Sequence, residues 1–223
     1  MAAQHWTKVE SKALVDARDS LKVVDGLLSF MSGGVGKPSN NERSLFAATV
    51  VFAYGVWESF VEQLAVELAD RLSLEIEPAR VPASVHANLE KVANSAWILT
   101  VSPGWRALWV TEVKKAALGD EKSYGMNTAS ETKVTELLKL IGIDEPFARL
   151  PASIIPAHLA PAVTNPRKAL ERLVGLRGEI VHTAQIPKDL RKPHARQWRD
   201  FVEQLITHVD QTCRTKAGQL LEP

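Results

Sequence analysis

The chain has 223 residues, 45% of them hydrophobic and 24% charged, a composition that suits an ordinary globular protein able to bury a core of its own. Its 27 basic and 26 acidic residues leave a net charge of +1, which excludes both a polybasic nucleic-acid tail and an acidic disordered domain. A single cysteine, Cys213, excludes a disulfide framework and a cysteine-based zinc site.

Taken from the N-terminus, the opening stretch MAAQHWTKVESK has no apolar core, so no secretory signal is expected. The uncharged apolar run Phe46–Trp57 holds twelve residues, short of the roughly 20 that a bilayer crossing needs. The expectation is a cytoplasmic protein without membrane association. Helical periodicity dominates, with no clean period-two alternation and no Asn-Gly or Asp-Gly hairpin signal. Helices are predicted over about Trp6–Met31, Asn41–Leu72, Pro82–Ser95, Pro103–Leu118, Ser130–Ile141, Pro166–His182 and Lys192–Lys216. Asn41 and Asn165 suit N-caps, and Pro166 suits the first helical position.

Between the fifth and sixth helices, Pro146, Pro151, Pro156, Pro161 and Pro166 recur every five residues. Each removes a backbone donor and disfavours helical geometry in the residue before it, so this segment is predicted to be an extended or turn-rich crossover. The expected architecture is one all-α domain over residues 1–223. Residues 1–72 supply two long helices, 73–165 a middle insert of short helices and the crossover, and 166–216 two further helices that pack on the first pair.

Several apparent motifs carry little. SGGVGKPS (residues 32–39) looks like a phosphate loop, but Met31 stands where its first glycine belongs and Pro38 replaces the magnesium-binding hydroxyl. An interhelical turn is the better reading. The six histidines (His5, His86, His158, His182, His194, His208) include no pair three or four apart, so neither a helical metal site nor any cofactor is expected. Trp97, Trp105 and Trp109 read as a satellite apolar cluster rather than a base-stacking platform.

The informative stretch is PRKALERLVGLRGEIVHT, Pro166–Thr183. At about 100° per residue, Leu170, Leu173, Val174, Ile180 and Val181 form one apolar face, and Arg177 falls in the middle of it. A guanidinium there is costly unless paired or opened to a wet cleft. Gly175, Gly178 and His182 lie on the flank, and a mid-helix glycine, which costs about 1 kcal/mol of propensity, usually permits a close approach. In the second long helix, Val51, Tyr54, Glu58, Val61, Ala65, Leu68 and Leu72 follow alternating three and four spacing, and Glu58 is their only charge. Glu58 and Arg177 are therefore expected to meet, either as a structural ion pair or in a polar cleft.

Arg177-Gly178-Glu179-Ile180-Val181-His182 resembles the R-x4-H signature of HEPN domains. Two more segments are similar to the RiboL-PSP-HEPN-like branch: AYGVWESFVEQL (Ala53–Leu64), and YGMNTASETKVTELLKLIGID (Tyr124–Asp144) with its Gly-x-Asn-Thr lead into a helix. The resemblance implies a HEPN-like helical bundle and a metal-independent endoribonuclease of the toxin or anti-phage defence type. Its site would lie at a homodimer interface, and its partners would be single-stranded RNA and an antitoxin or defence-system protein. It implies Arg177 and His182 as catalytic, with Tyr54, Glu58, Gly178 and Glu179 in support. Many members carry asparagine directly after the arginine, where this chain has Gly178. The alternative is therefore a catalytically silent dimer acting as an adaptor, and beyond it a plain helical bundle.

The residue types suit RNA cleavage by the RNA's own 2′-hydroxyl. That reaction needs a proton carrier titrating near neutrality and a cation for the growing phosphoryl charge, which histidine and a forked guanidinium supply. On one ideal helix Arg177 and His182 stand about 140° apart; a long arginine that wraps round, a helix unwound near Thr183 or a two-fold dimer would unite them, and the dimer is favoured because the glycine strip lets two motif helices approach. Residues 166–216 hold 11 basic and 6 acidic side chains, a local charge of +5, and Lys188, Arg191, Lys192, Arg196 and Arg199 are placed to hold phosphates. A solvated helix face accounts for the same cluster.

Overall fold

The computed structural model describes residues 6, 8–31, 37–93 and 104–222. Among them are seven α-helices and no β-strand: α1 (Lys12–Ser29), α2 (Asn40–Glu75), α3 (Ala83–Ala93), α4 (Trp105–Leu118), α5 (Glu131–Lys139), α6 (Pro166–Thr183) and α7 (Lys192–Leu221). The protein is all-α, as its periodicity predicts. It divides into two compact units, Val15–Phe60 with Arg149–His208, and Met1–Leu14 with Val61–Ala148 and Val209–Pro223.

The first of these is the motif unit. α2 enters it through a capping box. Ser39 Oγ accepts from the Glu42 backbone N–H at 3.2 Å, and Glu42 Oε2 accepts from the Ser39 N–H at 2.9 Å. The helix therefore starts at Asn40, and Asn41, predicted as the cap, lies inside the first turn. The stripe read along α2 is buried where it matters: Tyr54, Val61, Ala65, Leu68 and Leu72 are all 1% exposed or less.

The crossover has no α-helix. Two single 3₁₀ turns, Ala152–Ile154 and Ala157–Leu159, follow directly on Pro151 and Pro156, as expected where prolines remove donors at short intervals. α6 then begins as its sequence predicts: Asn165 Oδ1 accepts from the Arg167 N–H at 2.9 Å, with Pro166 at the first position. It stops one residue past His182. Ala184 adopts a left-handed φ of 53°, and its N–H bonds to the Ile180 carbonyl.

The other unit holds the start of α1, which comes later than predicted because residues 9–11 are not helical. Ser11 Oγ caps α1 by accepting from the Leu14 N–H at 3.0 Å, and the Glu67 carboxylate accepts from the Lys12 and Ala13 N–H groups. Trp6 is held apart from α1: its indole donates to Glu75 at 2.9 Å, and the Arg71 guanidinium lies 4.0 Å over its ring. Arg214 donates to the Trp6 carbonyl and to Asp210, a pair 4% and 0% exposed. Trp105 and Trp109 stack at 6.0 Å and are buried, as predicted for a satellite cluster; Trp97 lies outside the described residues. The Gly-x-Asn-Thr segment is a tight turn, with Gly125 at φ +68° and Asn127 at φ 60°. A Cβ on Gly125 would stand 2.6 Å from the Ala117 carbonyl, so only glycine fits.

α2 is long and apolar enough to cross a membrane by length and composition, with a mean hydropathy of 1.4 over 18 residues. Half of that window is buried.

Candidate functional site

α6 presents two faces, and they do different things. On one, Leu170 and Leu173 are buried, and Arg177 is half-buried. The Arg177 guanidinium carbon lies 5.2 Å from the centre of the Tyr54 ring, and the Tyr54 hydroxyl donates to Glu58 Oε1 at 3.3 Å. Arg177, Tyr54 and Glu58 thus form one chain of contacts between α6 and the α2 segment of the motif unit. The link runs through the aromatic ring, which offers the cation its electron-rich face while the hydroxyl reaches the carboxylate. This is why a guanidinium is tolerated in an apolar stripe.

The stripe is not covered to its end. Val174 and Ile180 are half-buried, and Val181 is 48% exposed. Phe52 on α2 is 54% exposed, and nothing stands within 4 Å of the Cβ positions of Gly55 or Gly178. Periodicity identified the apolar face; it does not report how far along the helix a neighbour reaches.

His182 and Glu179 are exposed. Both lie around α6 from Arg177, so the two motif residues do not share a face. The Thr183 hydroxyl donates back to the Glu179 carbonyl at 2.7 Å and accepts from the Gln185 N–H at 3.1 Å, which fixes the last turn that carries His182.

The basic residues after α6 are placed unequally. Lys188 is exposed, and its carbonyl receives the Arg191 guanidinium. Lys192 Nζ donates to the Met31 carbonyl at 2.6 Å. Arg196 is exposed beside Asp25 and Asp200. Arg199 is 14% exposed and is taken up by Asp25, Asp200 and Glu203, which makes it a structural residue rather than a phosphate contact.

The other face of α6 lines a feature that residue spacing did not reveal. A cleft of about 540 Å³ is bounded by Glu171, Arg172, Gly175, Leu176 and Glu179 of α6, by His158 and Leu159 of the crossover, and by Pro187, Asp189, Leu190, His194 and Trp198. His158 and His194 stack face to face, with ring centres 4.4 Å apart and planes 15° from parallel. Trp198 meets His158 edge-on at 5.3 Å. Gln197 Oε1 accepts from the His158 backbone N–H at 3.0 Å and lies 2.6 Å from His158 Nδ1. An amide oxygen only accepts, so this contact suits a His158 ring protonated at Nδ1. Burial first, and the charge of neighbouring His158 second, hold the His194 pKa below its ordinary 6.5, against the opposing pull of Asp189. The histidine count pointed at single residues, whereas the pair is built by folding the crossover onto α7.

Among the described residues, no group of three or more His, Cys, Asp or Glu side chains could hold a metal ion. No family model matches the chain, and no curated protein and no solved structure matches it.

Proposed function

We propose that the protein is a metal-independent endoribonuclease of the HEPN type, acting in toxin or anti-phage defence, with Arg177 and His182 as its reacting groups. The observation that supports this most is the setting of the motif. Arg177 is gripped by the Tyr54 ring beside Glu58, and His182 stands exposed at a fixed helix end five residues on. In the reaction the 2′-oxygen bonds to the adjacent phosphorus as the P–O5′ bond breaks, leaving a 2′,3′-cyclic phosphate and a 5′-hydroxyl. His182 takes the 2′-hydroxyl proton or delivers one to the leaving oxygen. Arg177 neutralises the charge that grows on the phosphoryl oxygens, and its ring-supported half-burial strengthens that interaction.

Because Arg177 and His182 face different ways on α6, one chain does not present both to a single phosphate. A two-fold dimer joined through the α6 motif region would place the arginine of one copy near the histidine of the other. The exposed Phe52 and Val181, with the open Gly55 and Gly178 positions, are surfaces suited to such an approach. The same surface favours a second reading, a catalytically silent HEPN dimer that serves as an adaptor, with Gly178 as the departure that disarms it. The test is cleavage of a labelled single-stranded RNA in EDTA. Cyclic-phosphate ends produced by the wild type support the enzyme, and a dimer that never cleaves supports the adaptor.

A further inference from the structure

The cleft on the far face of α6 is separate from the Arg177–Tyr54–Glu58 contacts, and its lining is that of a ligand site rather than a packing defect. Its volume of about 540 Å³ is ample for one nucleobase. Leu159, Leu176, Pro187 and Leu190 supply apolar walls, and Gly175 leaves one side bare, with nothing within 4 Å of its Cβ position. The stacked imidazoles of His158 and His194 add a flat π surface, and burial favours the uncharged form of His194. Such a surface stacks on a planar heterocycle.

The polar groups select among heterocycles. Glu171 is engaged by Lys168 at 3.0 Å and Asp189 faces His194, which leaves Glu179 as the carboxylate turned to a ligand in the cleft. A carboxylate only accepts, and it fits best against two adjacent N–H donors. Guanine presents such a pair, N1–H and the 2-amino group, on one edge. Adenine, cytosine and uracil each set a ring nitrogen or carbonyl acceptor beside their donor, and a carboxylate repels it. From these features we infer that the cleft is a guanine-binding site, with the base stacked on the His158–His194 pair and its N–H edge on Glu179. This deepens the ribonuclease reading by naming the base selected beside the motif, but base binding can be read without cleavage.

The test is calorimetric titration of the full chain with GMP, AMP, CMP and UMP. GMP is expected to bind at least about tenfold more tightly than the others. Glu179 is exposed, so Glu179→Gln should stay folded while losing about 10–100-fold in GMP affinity and most of the preference. His194→Ala should weaken all four nucleotides together, by about tenfold or more. A 2′-O-methylated oligouridine with one central guanosine distinguishes the source of the base. If it binds more tightly than GMP the natural ligand is a strand, and if more weakly it is a free nucleotide; either result keeps the guanine assignment. Equal affinity for all four nucleotides, no saturable GMP binding, or unchanged GMP binding by Glu179→Gln overturns it. GMP selectivity without RNA cleavage would retire the ribonuclease and keep this site, and cleavage without base binding would do the reverse.

Discussion

Replacing Arg177 with alanine discriminates between two accounts of how a guanidinium sits in an apolar stripe. If Arg177 were half of a buried ion pair, its loss would strand a carboxylate and cost about 3–5 kcal/mol. The structure gives it another partner, the Tyr54 ring at 5.2 Å, and leaves it half-buried. A cation over an aromatic face at such a site contributes about 0.5–2 kcal/mol, so Arg177→Ala should cost about 1–2 kcal/mol, including its lost stem packing. For a chain of this length that corresponds to roughly 2–8 °C in Tm. The assay is urea unfolding of the wild type, Arg177→Ala, Tyr54→Leu and the double variant, analysed as a cycle. The expected coupling is about 0.5–1.5 kcal/mol. A single-variant loss above about 3 kcal/mol, or zero coupling to Tyr54, refutes the stacking account. A modest loss also leaves Arg177→Ala folded, which makes it usable in cleavage assays.

Other consequences follow from contacts elsewhere. Arg214→Leu strands Asp210, which is 0% exposed, and should lower stability by about 3–5 kcal/mol in urea titration. Ser39→Ala removes one half of the capping box of α2 and should cost about 1 kcal/mol, read as a shifted urea midpoint with unchanged slope. His194 has its folded pKa lowered below 6.5, so between the folded value and 6.5 the unfolded chain binds more protons. Its contribution is therefore present above 6.5 and lost as pH falls through the folded value, with His158 and Arg191 opposing the added charge and Asp189 favouring it. His194→Gln should flatten the fall in Tm between about pH 7 and pH 5, and an identical pH profile would contradict the assignment.

What could be read from residues alone was whatever depends on local covalent geometry. The five-residue proline spacing forbade a helix across the crossover, and the Asn165–Pro166 start of α6 is where it was placed. Features set by distant partners were not legible. The break at residues 9–11 depends on Glu67, 54 residues beyond Ala13, accepting backbone donors. Ser39 and Glu42 carried an S-x-x-E signature that could have displaced Asn41 as the cap. At the site, the pattern brought Tyr54, Glu58 and Arg177 under suspicion, and the structure joins them through the tyrosine rather than by direct charge pairing. The His158–His194 stack lay beyond pattern reading, because 36 residues separate the two rings and the crossover must fold back to unite them.

In the proposed ribonuclease reaction His182 moves a proton, and His182→Ala removes that proton carrier. The side chain is exposed at the end of α6, so the variant should keep the wild-type fold and oligomeric state. On a labelled single-stranded RNA in EDTA, the wild type should release cyclic-phosphate ends, and His182→Ala should be slower by about 10²–10⁴-fold. A folded His182→Ala protein that cleaves at the wild-type rate would rule out proton transfer by His182.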